Sequence, residues 1–174
     1  MAYMSTKAKT IIAAALVLAM CIFIFVMSAK PATESDRLSL GVVDQIISLA
    51  VPGYNDMGTT EQAAYQSYLN HIVRKCAHAT EFALLGILVF NLLIQLTRAH
   101  RKLDSRDLSL RLFPLAAGAW VISTLYAATD ELHQIFVAGR SCQLTDVCID
   151  SSGVLAGILI SCAILALIRR RRQA

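Results

Sequence analysis

The sequence predicts an all-α integral membrane protein, a bundle of four transmembrane helices, on the strength of three observations. The chain of 174 residues is 56% hydrophobic, whereas ordinary soluble domains are about 45–50% apolar. Its mean hydropathy is +0.58. Its charged residues are confined to blocks between long apolar runs. A helix needs about 20 mostly apolar residues to cross the hydrocarbon core of a bilayer, and four runs in this chain meet that requirement.

The four apolar runs define the predicted spans of a single membrane domain that covers residues 1–174. They are residues 10–29, 77–97, 112–129 and 147–168. The first run is longer than the roughly 7–15 apolar residues of a signal peptide. No clear small-x-small cleavage site follows it. These features favour an uncleaved transmembrane helix over a cleaved signal.

The basic residues predict the orientation of the bundle. With four spans, the side of the N-terminus carries 11 of the 16 Lys and Arg residues but only two of the 12 Asp and Glu residues. Cytoplasmic loops of membrane proteins carry an excess of Lys and Arg. We therefore expect both termini and the loop at residues 98–111 to be cytoplasmic, and the acidic side to face outward. The net charge of +4 then reflects membrane orientation, and we expect no nucleic-acid partner.

The segment after the first span has a helical pattern of its own. Leu38, Val42, Ile46 and Leu49 recur at helical spacing, which predicts a short helix on the outer membrane face or against the bundle.

The next helix is predicted to begin at Thr59, where Gln62 stands three residues later as in a capping box. No helix breaker follows until about Thr97. At 1.5 Å per residue this helix would be roughly 57 Å long, so it should project well beyond the bilayer.

Ionisable residues gather at the outer ends of the last three predicted spans. A charged side chain at mid-helix in a membrane costs about 2.5–3.5 kcal/mol on insertion scales, so such residues need partners or a function. The short connection at residues 137–145 makes the third and fourth spans neighbours. We therefore predict one pocket of opposite charges at the outer face, formed by Arg74, Lys75, His78, Glu81, Asp130, Glu131, His133, Gln134, Arg140, Asp146 and Asp150.

The residue types in this cluster suggest distinct roles. The two histidines are candidates for proton transfer, and the acids are candidates to orient them or to act as bases. The arginines and the lysine suit a phosphate group. The catalytic candidates are His78, Glu81, Asp130, Glu131 and His133; the ligand-binding candidates are Arg74, Lys75, Gln134, Arg140, Asp146 and Asp150. No H-E-x-x-H pattern is present, and we expect neither a metal nor a cofactor.

The sequence also contains two closely spaced glycines in the last span and five cysteines. Gly153 and Gly157 are spaced four apart in the last span, which favours close helix packing. The cysteines follow no metal-ligand spacing. Cys76, Cys142 and Cys148 fall near the predicted outer surface, where a disulfide is possible but not implied.

Taken in order, the motifs resemble the VanZ-like family of bacterial integral membrane proteins. They begin with Phe25-x-x-Ser28-x-x-Pro31-x-x-x-Ser35 after the first span, followed by Arg74-Lys75-x-x-His78-x-x-Glu81-Phe82-x-x-Leu85-Gly86, then by Asp130-Glu131-x-His133-Gln134-x-Phe136-x-x-Gly139-Arg140, and finally by Asp146-x-x-x-Asp150-x-x-Gly153. The resemblance covers roughly residues 11–168. One departure is Asp150, where asparagine would be equally expected.

The resemblance implies a multi-pass protein of the bacterial cytoplasmic membrane and cell envelope. The family is named for a member that confers low-level resistance to teicoplanin, a glycopeptide antibiotic. Combined with the charges of the predicted pocket, it suggests membrane lipids and a lipid-linked cell-wall precursor or polyprenyl phosphate as partners. Two alternatives remain open: a membrane hydrolase or transferase acting on polyprenyl or lipid phosphates, with His78 or His133 as general base, and a scaffold whose buried ion pairs only fix the helix register. The sequence does not predict an oligomeric state.

Overall fold

A computed structural model describes residues 5–101 and 105–173, and all regular elements in these ranges are helical. Residues 102–104, part of the loop predicted to be cytoplasmic, lie outside the described residues, as do residues 1–4 and 174. The predicted all-helical fold class is confirmed. The α-helices are α1 (Thr6–Ser28), α2 (Ala32–Ala50), α3 (Thr59–Arg101), α4 (Ser105–Gln134) and α5 (Leu144–Gln173), with a 3-10 helix at Tyr54–Asp56.

Four of the described helices, α1, α3, α4 and α5, are long and apolar enough to cross a membrane. Each of these helices contains one of the four predicted apolar runs, except that residue 29 of the first run follows the end of α1. Helix α3 has 43 residues and is therefore about 65 Å long, roughly twice the 30 Å hydrocarbon core. The prediction that this helix is longer than a bilayer is thick is confirmed.

Helix α3 begins at the predicted residue, Thr59, but Gln62 has a different role from the one expected. Its side-chain amide donates hydrogen bonds to the carbonyl oxygens of Tyr54, at 2.9 Å, and Met57, at 3.2 Å. Gln62 therefore fastens the 3-10 helix to the start of α3 rather than completing a capping box.

Helix α3 is the central element of the bundle, since it packs against each of the other four α-helices. The buried apolar core lies around its middle turns and is closed by side chains from α1, α4 and α5. Its principal members are Ile24, Phe82, Leu85, Phe90, Ala119, Ala127, Val154 and Ile158.

The backbones of α3 and α5 touch at two successive turns. A β-carbon on Gly153 would overlap the carbonyl oxygen of Ala79, and one on Gly157 would overlap that of Ala83. Only glycine leaves room for this approach. The predicted packing role of the two glycines is confirmed.

A helix, α2, is present in the segment between the first two spans, and it packs along the projecting half of α3. Val43 and Ile47 are buried, while Leu38, Val42 and Leu49 remain exposed. The Ser39 hydroxyl donates a hydrogen bond to the side-chain oxygen of Asn70 on α3. Contact with the bundle is therefore established, whereas the position of α2 at the outer membrane face stays a prediction, as does the orientation of the termini.

The close contact between α3 and α5 predicts unequal effects of two identical substitutions. Gly157→Ala should destabilise the protein by about 1–3 kcal/mol because the added methyl group meets backbone atoms. Gly118→Ala on α4 is the matched control, since its nearest neighbour would be a flexible Leu93 methyl carbon at 3.6 Å. Thermal unfolding of both variants in detergent measures the difference. Equal midpoints would contradict the described contact.

Candidate functional site

The polar ends of the helices meet in one cluster. Lys75 of α3 forms an ion pair of 2.8 Å with Asp146 of α5. The Ser28 hydroxyl at the end of α1 donates a hydrogen bond of 2.6 Å to Asp130 of α4. These contacts join α3 to α5 and α1 to α4.

A polar pocket opens within this cluster and encloses about 40 Å³. It contains eight of the 11 residues predicted from the sequence, together with two that were not. The predicted lining residues are Arg74, Lys75, His78, Glu131, Gln134, Arg140, Asp146 and Asp150, and the additional ones are His71 and Ile149. Residues from α3, α4, α5 and the α4–α5 connection thus share a single small cavity.

The carboxylates of the polar pocket differ in their partners. Asp146 is paired with Lys75. Glu131, only 2% exposed, accepts a hydrogen bond of 2.8 Å from the backbone N–H of Gln143. Asp150 is 3% exposed, and none of the hydrogen bonds or ion pairs among the described residues involves its carboxylate. The deepest acids of the pocket therefore lack cationic partners.

Arg74 is held by α2, a helix that the sequence did not connect to the site. Its Nη1 atom lies 2.7 Å from the carboxylate of Asp36, which also accepts a hydrogen bond of 3.1 Å from the side-chain amide of Asn70. The Nε atom of Arg74 is buried without a hydrogen-bond partner among the described residues. One donor of this guanidinium is therefore uncommitted.

Arg140 is positioned by a tight turn after α4. Gly139 adopts a left-handed conformation with φ of 73°, which glycine accepts at little cost. The guanidinium donates to uncharged acceptors: Nε to the carbonyl oxygen of Lys30 at 3.0 Å, Nη1 to the side chain of Gln134 at 3.2 Å, and Nη2 to the carbonyl oxygen of Met27 at 3.5 Å. None of the ion pairs formed by the described residues includes Arg140.

Burial is the main cause that lowers the pKa of the Arg140 guanidinium from its ordinary value, and the positive charge of Arg74 adds to it. The carboxylates of Asp130, Glu131 and Asp36 act in the opposite direction. Arginine nevertheless remains protonated in proteins. Arg140 therefore brings a permanent positive charge to the pocket.

Asp130 lies behind the polar pocket, between α4 and α1. It is 4% exposed, and its Oδ2 atom accepts hydrogen bonds from Ser28 at 2.6 Å and from Gln134 at 3.2 Å. Its Oδ1 atom is buried without a described partner. Through Gln134, which also accepts from Arg140, Asp130 supports the wall of the pocket rather than lining it.

The two predicted histidines occupy different surroundings. The Nδ1 atom of His78 lies 4.0 Å from a Glu81 carboxylate oxygen, beyond hydrogen-bond range, and both atoms are buried without partners among the described residues. The ring of His133 packs on Phe25 of α1, with ring centroids 4.5 Å apart. His133 lines neither the polar pocket nor the groove described next, so the two imidazoles do not share one cavity.

An apolar groove adjoins the polar pocket and encloses about 190 Å³ between α1, α2 and α3. Its apolar lining consists of Met27, Leu38, Val42, Val73 and Ala77. Arg74, His78 and Arg140 line both cavities, and Glu81 lines the groove alone. A cationic wall therefore separates a polar compartment from an apolar one.

Ser28, Asp36 and Asn70 contact the site but were not among the predicted residues. Ser28 stood within a quoted motif, yet its partner on α4 is 102 residues away in sequence. Asp36 and Asn70 depend on the docking of α2, which sequence spacing does not reveal. Contacts from distant helices are the part of the site that periodicity leaves undetermined.

The structure also describes the cysteines and the side chains that could bind a metal. All five cysteines lie within the described residues and are free thiols, with Cys76, Cys142 and Cys148 exposed. No three of the described His, Cys, Asp and Glu side chains are arranged to hold a metal ion.

Comparison with protein families gives a match over nearly the whole chain. A family model described as VanZ/LLP1 matches residues 13–167. No curated protein matches the chain, and no solved structure matches it either. The match agrees with the resemblance carried by the motifs in the same region.

A comparison of two buried serines tests the hydrogen bond between Ser28 and Asp130 behind the pocket. Ser28 and Ser123 are both fully buried, but Ser28 donates to a carboxylate whereas the Ser123 hydroxyl has no described partner. Ser28→Ala should lower the free energy of unfolding by about 1.5–3 kcal/mol, because it removes a hydrogen bond to a charged group. Ser123→Ala should be neutral or slightly stabilising. Denaturation of both variants in the same detergent gives the comparison, and a larger loss for Ser123→Ala would disprove the assigned bond.

Proposed function

The chain belongs to the VanZ/LLP1 family, and we propose that it binds the anionic phosphate of a lipid-linked envelope molecule at the outer face of the bacterial cytoplasmic membrane. One observation carries this proposal: the side chains shared by the polar pocket and the apolar groove include two arginines, Arg74 and Arg140. A lipid phosphate needs such a pair of adjoining environments, one for its charge and one for its hydrocarbon.

Arg140 is the principal phosphate ligand in this proposal. Lys75 and Arg74 each hold a carboxylate, whereas Arg140 donates only to uncharged oxygens. A guanidinium offers two parallel donors that match phosphate oxygens. Arg140 therefore gains most when a phosphate replaces its neutral acceptors. The Nε atom of Arg74, which has no described partner, lies beside the same wall.

The remaining predicted residues shape the site in this proposal. Lys75 and Asp146 form the pocket rim, and Gln134 and Asp130 hold Arg140 in place from behind. His78 and Glu81 line the groove next to the arginines. His133 stabilises the junction of α1 and α4 through Phe25.

A lipid-binding role suggests how such a protein lowers susceptibility to glycopeptide antibiotics of the teicoplanin type. These antibiotics act outside the cytoplasmic membrane, where the acidic face of the bundle is predicted to lie. A protein that holds a lipid-linked cell-wall precursor at that face reduces the amount that an antibiotic can reach.

The hydrolase or transferase alternative has less support from the same geometry. General acid–base catalysis needs groups within hydrogen-bond reach of one another and of the substrate. His133 lines neither cavity, and His78 stands 4.0 Å from the nearest Glu81 oxygen. No observation favours turnover over binding.

Lipid analysis of the purified protein tests the role of Arg140. Arg140→Ala should reduce the co-purifying anionic lipid at least about tenfold, which corresponds to the 1.4 kcal/mol or more expected for a charge-assisted contact. Arg140→Lys should retain part of the binding because it keeps the charge but loses the two-pronged geometry. Arg98→Ala, an exposed arginine at the opposite end of α3, is the control. Unchanged lipid content in Arg140→Ala would disprove the proposal.

A susceptibility assay tests the cellular consequence. Single substitutions of Arg74, His78, Asp130 and Arg140 by alanine should each reduce resistance to teicoplanin in cells that express the protein. Membrane abundance is measured by immunoblot, so that a loss of activity is separated from a loss of protein. Full resistance in all four variants would exclude the pocket as the functional element.

A further inference from the structure

Two of the carboxylates in the polar pocket form no ion pair with its described cations, Arg74, Lys75 and Arg140. Three carboxylates line it, those of Glu131, Asp146 and Asp150, and only Asp146 belongs to an ion pair among the described residues. A phosphate alone would not complement this part of the pocket.

Asp150 gives the clearest indication of what is missing. Its side chain is buried in the wall of the pocket, 3% exposed, with no hydrogen bond or ion pair from any described residue. Glu131, equally buried, accepts only the Gln143 backbone N–H through Oε1. Burial of a carboxylate is costly unless a partner compensates it. Both side chains therefore present free acceptor atoms to the same small space.

We propose that the ligand is zwitterionic, a phospholipid whose head carries a primary ammonium group beyond its phosphate. This inference rests on the proposed function, because it places the phosphate at Arg140. The ammonium lies in the polar pocket between Asp150 and Glu131, and it donates its three hydrogens to their carboxylate oxygens.

The size of the pocket agrees with this division of the head group. A volume of about 40 Å³ is only a few times the roughly 10–15 Å³ that a single water needs on this measure. The space accepts a compact ammonium but not a whole phosphate ester. The phosphate therefore stays at the wall shared with the apolar groove, where Arg140 and Arg74 lie, and the hydrocarbon continues into the groove.

Native mass spectrometry of the full chain in detergent tests the proposal with two lipids of equal chain length. Phosphatidylethanolamine supplies the ammonium, and phosphatidylglycerol has the same phosphate without it. The wild-type protein should bind phosphatidylethanolamine about tenfold more tightly, since a hydrogen bond to a buried charge accounts for roughly that ratio. Asp150→Asn should reduce the preference for phosphatidylethanolamine below about twofold.

Control variants make the result specific to the pocket. Asp56→Asn, at the exposed last residue of the 3-10 helix, should keep the full preference. Glu131→Gln provides the same test from α4 should Asp150→Asn fail to fold, and it too should reduce the preference. Equal binding of the two lipids by the wild-type protein, or a preference that survives in every folded variant, would overturn the zwitterionic assignment.

The outcomes separate this inference from the proposed function. Arg140-dependent binding of both lipids with no preference refutes the ammonium site and leaves phosphate binding intact. Binding that is insensitive to Arg140→Ala refutes the proposed function itself. Soluble phosphoethanolamine, which has the head but no chain, should bind at least about tenfold more weakly than the lipid because it leaves the groove empty; equally tight binding would exclude a lipid as the ligand.

Discussion

Direct backbone contact between α3 and α5 is the constraint on which the rest of the molecule depends. Gly153 lies against Ala79 and Gly157 against Ala83, so that no side chain separates the two helices there. One turn before Ala79 on α3 and two turns before Gly153 on α5, Lys75 and Asp146 lie 2.8 Å apart. A larger residue at either glycine would push the helices apart and open the pocket. The packing of the apolar core therefore determines the geometry of the polar end.

Every helix contributes to the support of the polar groups, which explains how a membrane protein tolerates so many of them. Ser28 from α1 binds Asp130 of α4, and Asp36 from α2 binds Arg74 of α3. Buried ion pairs gain little net stability because desolvation offsets their attraction. The unpaired atoms of Asp130, His78 and Glu81 gain none. This cost in stability is the reason that we propose a ligand for the site.

The sequence predicted the architecture well because apolar length and helical spacing act locally. Four runs gave the four long helices, and the spacing of Gly153 and Gly157 gave their closest contact. It predicted the membership of the polar cluster less completely. Periodicity defines which residues share a face of one helix, but not which neighbour that face meets: His133 meets Phe25 instead of the pocket. Asp36 entered the site only through the docking of α2 on α3, a tertiary event without a sequence signal.

The contacts of Arg140 have a consequence for the strength of any complex. Its guanidinium donates to the carbonyl oxygens of Met27 and Lys30, at the carboxyl end of α1, where a helix has free carbonyls and a partial negative charge. Arg140 thus joins the α4–α5 connection to the end of α1. A molecule that draws the guanidinium fully away breaks its bonds to these carbonyl oxygens, although the backbone N–H groups of Ala29 and Lys30 still cap the helix. The free energy lost with these hydrogen bonds lowers the affinity of Arg140 for any ligand. This favours a complex that forms and dissociates readily over a permanent one.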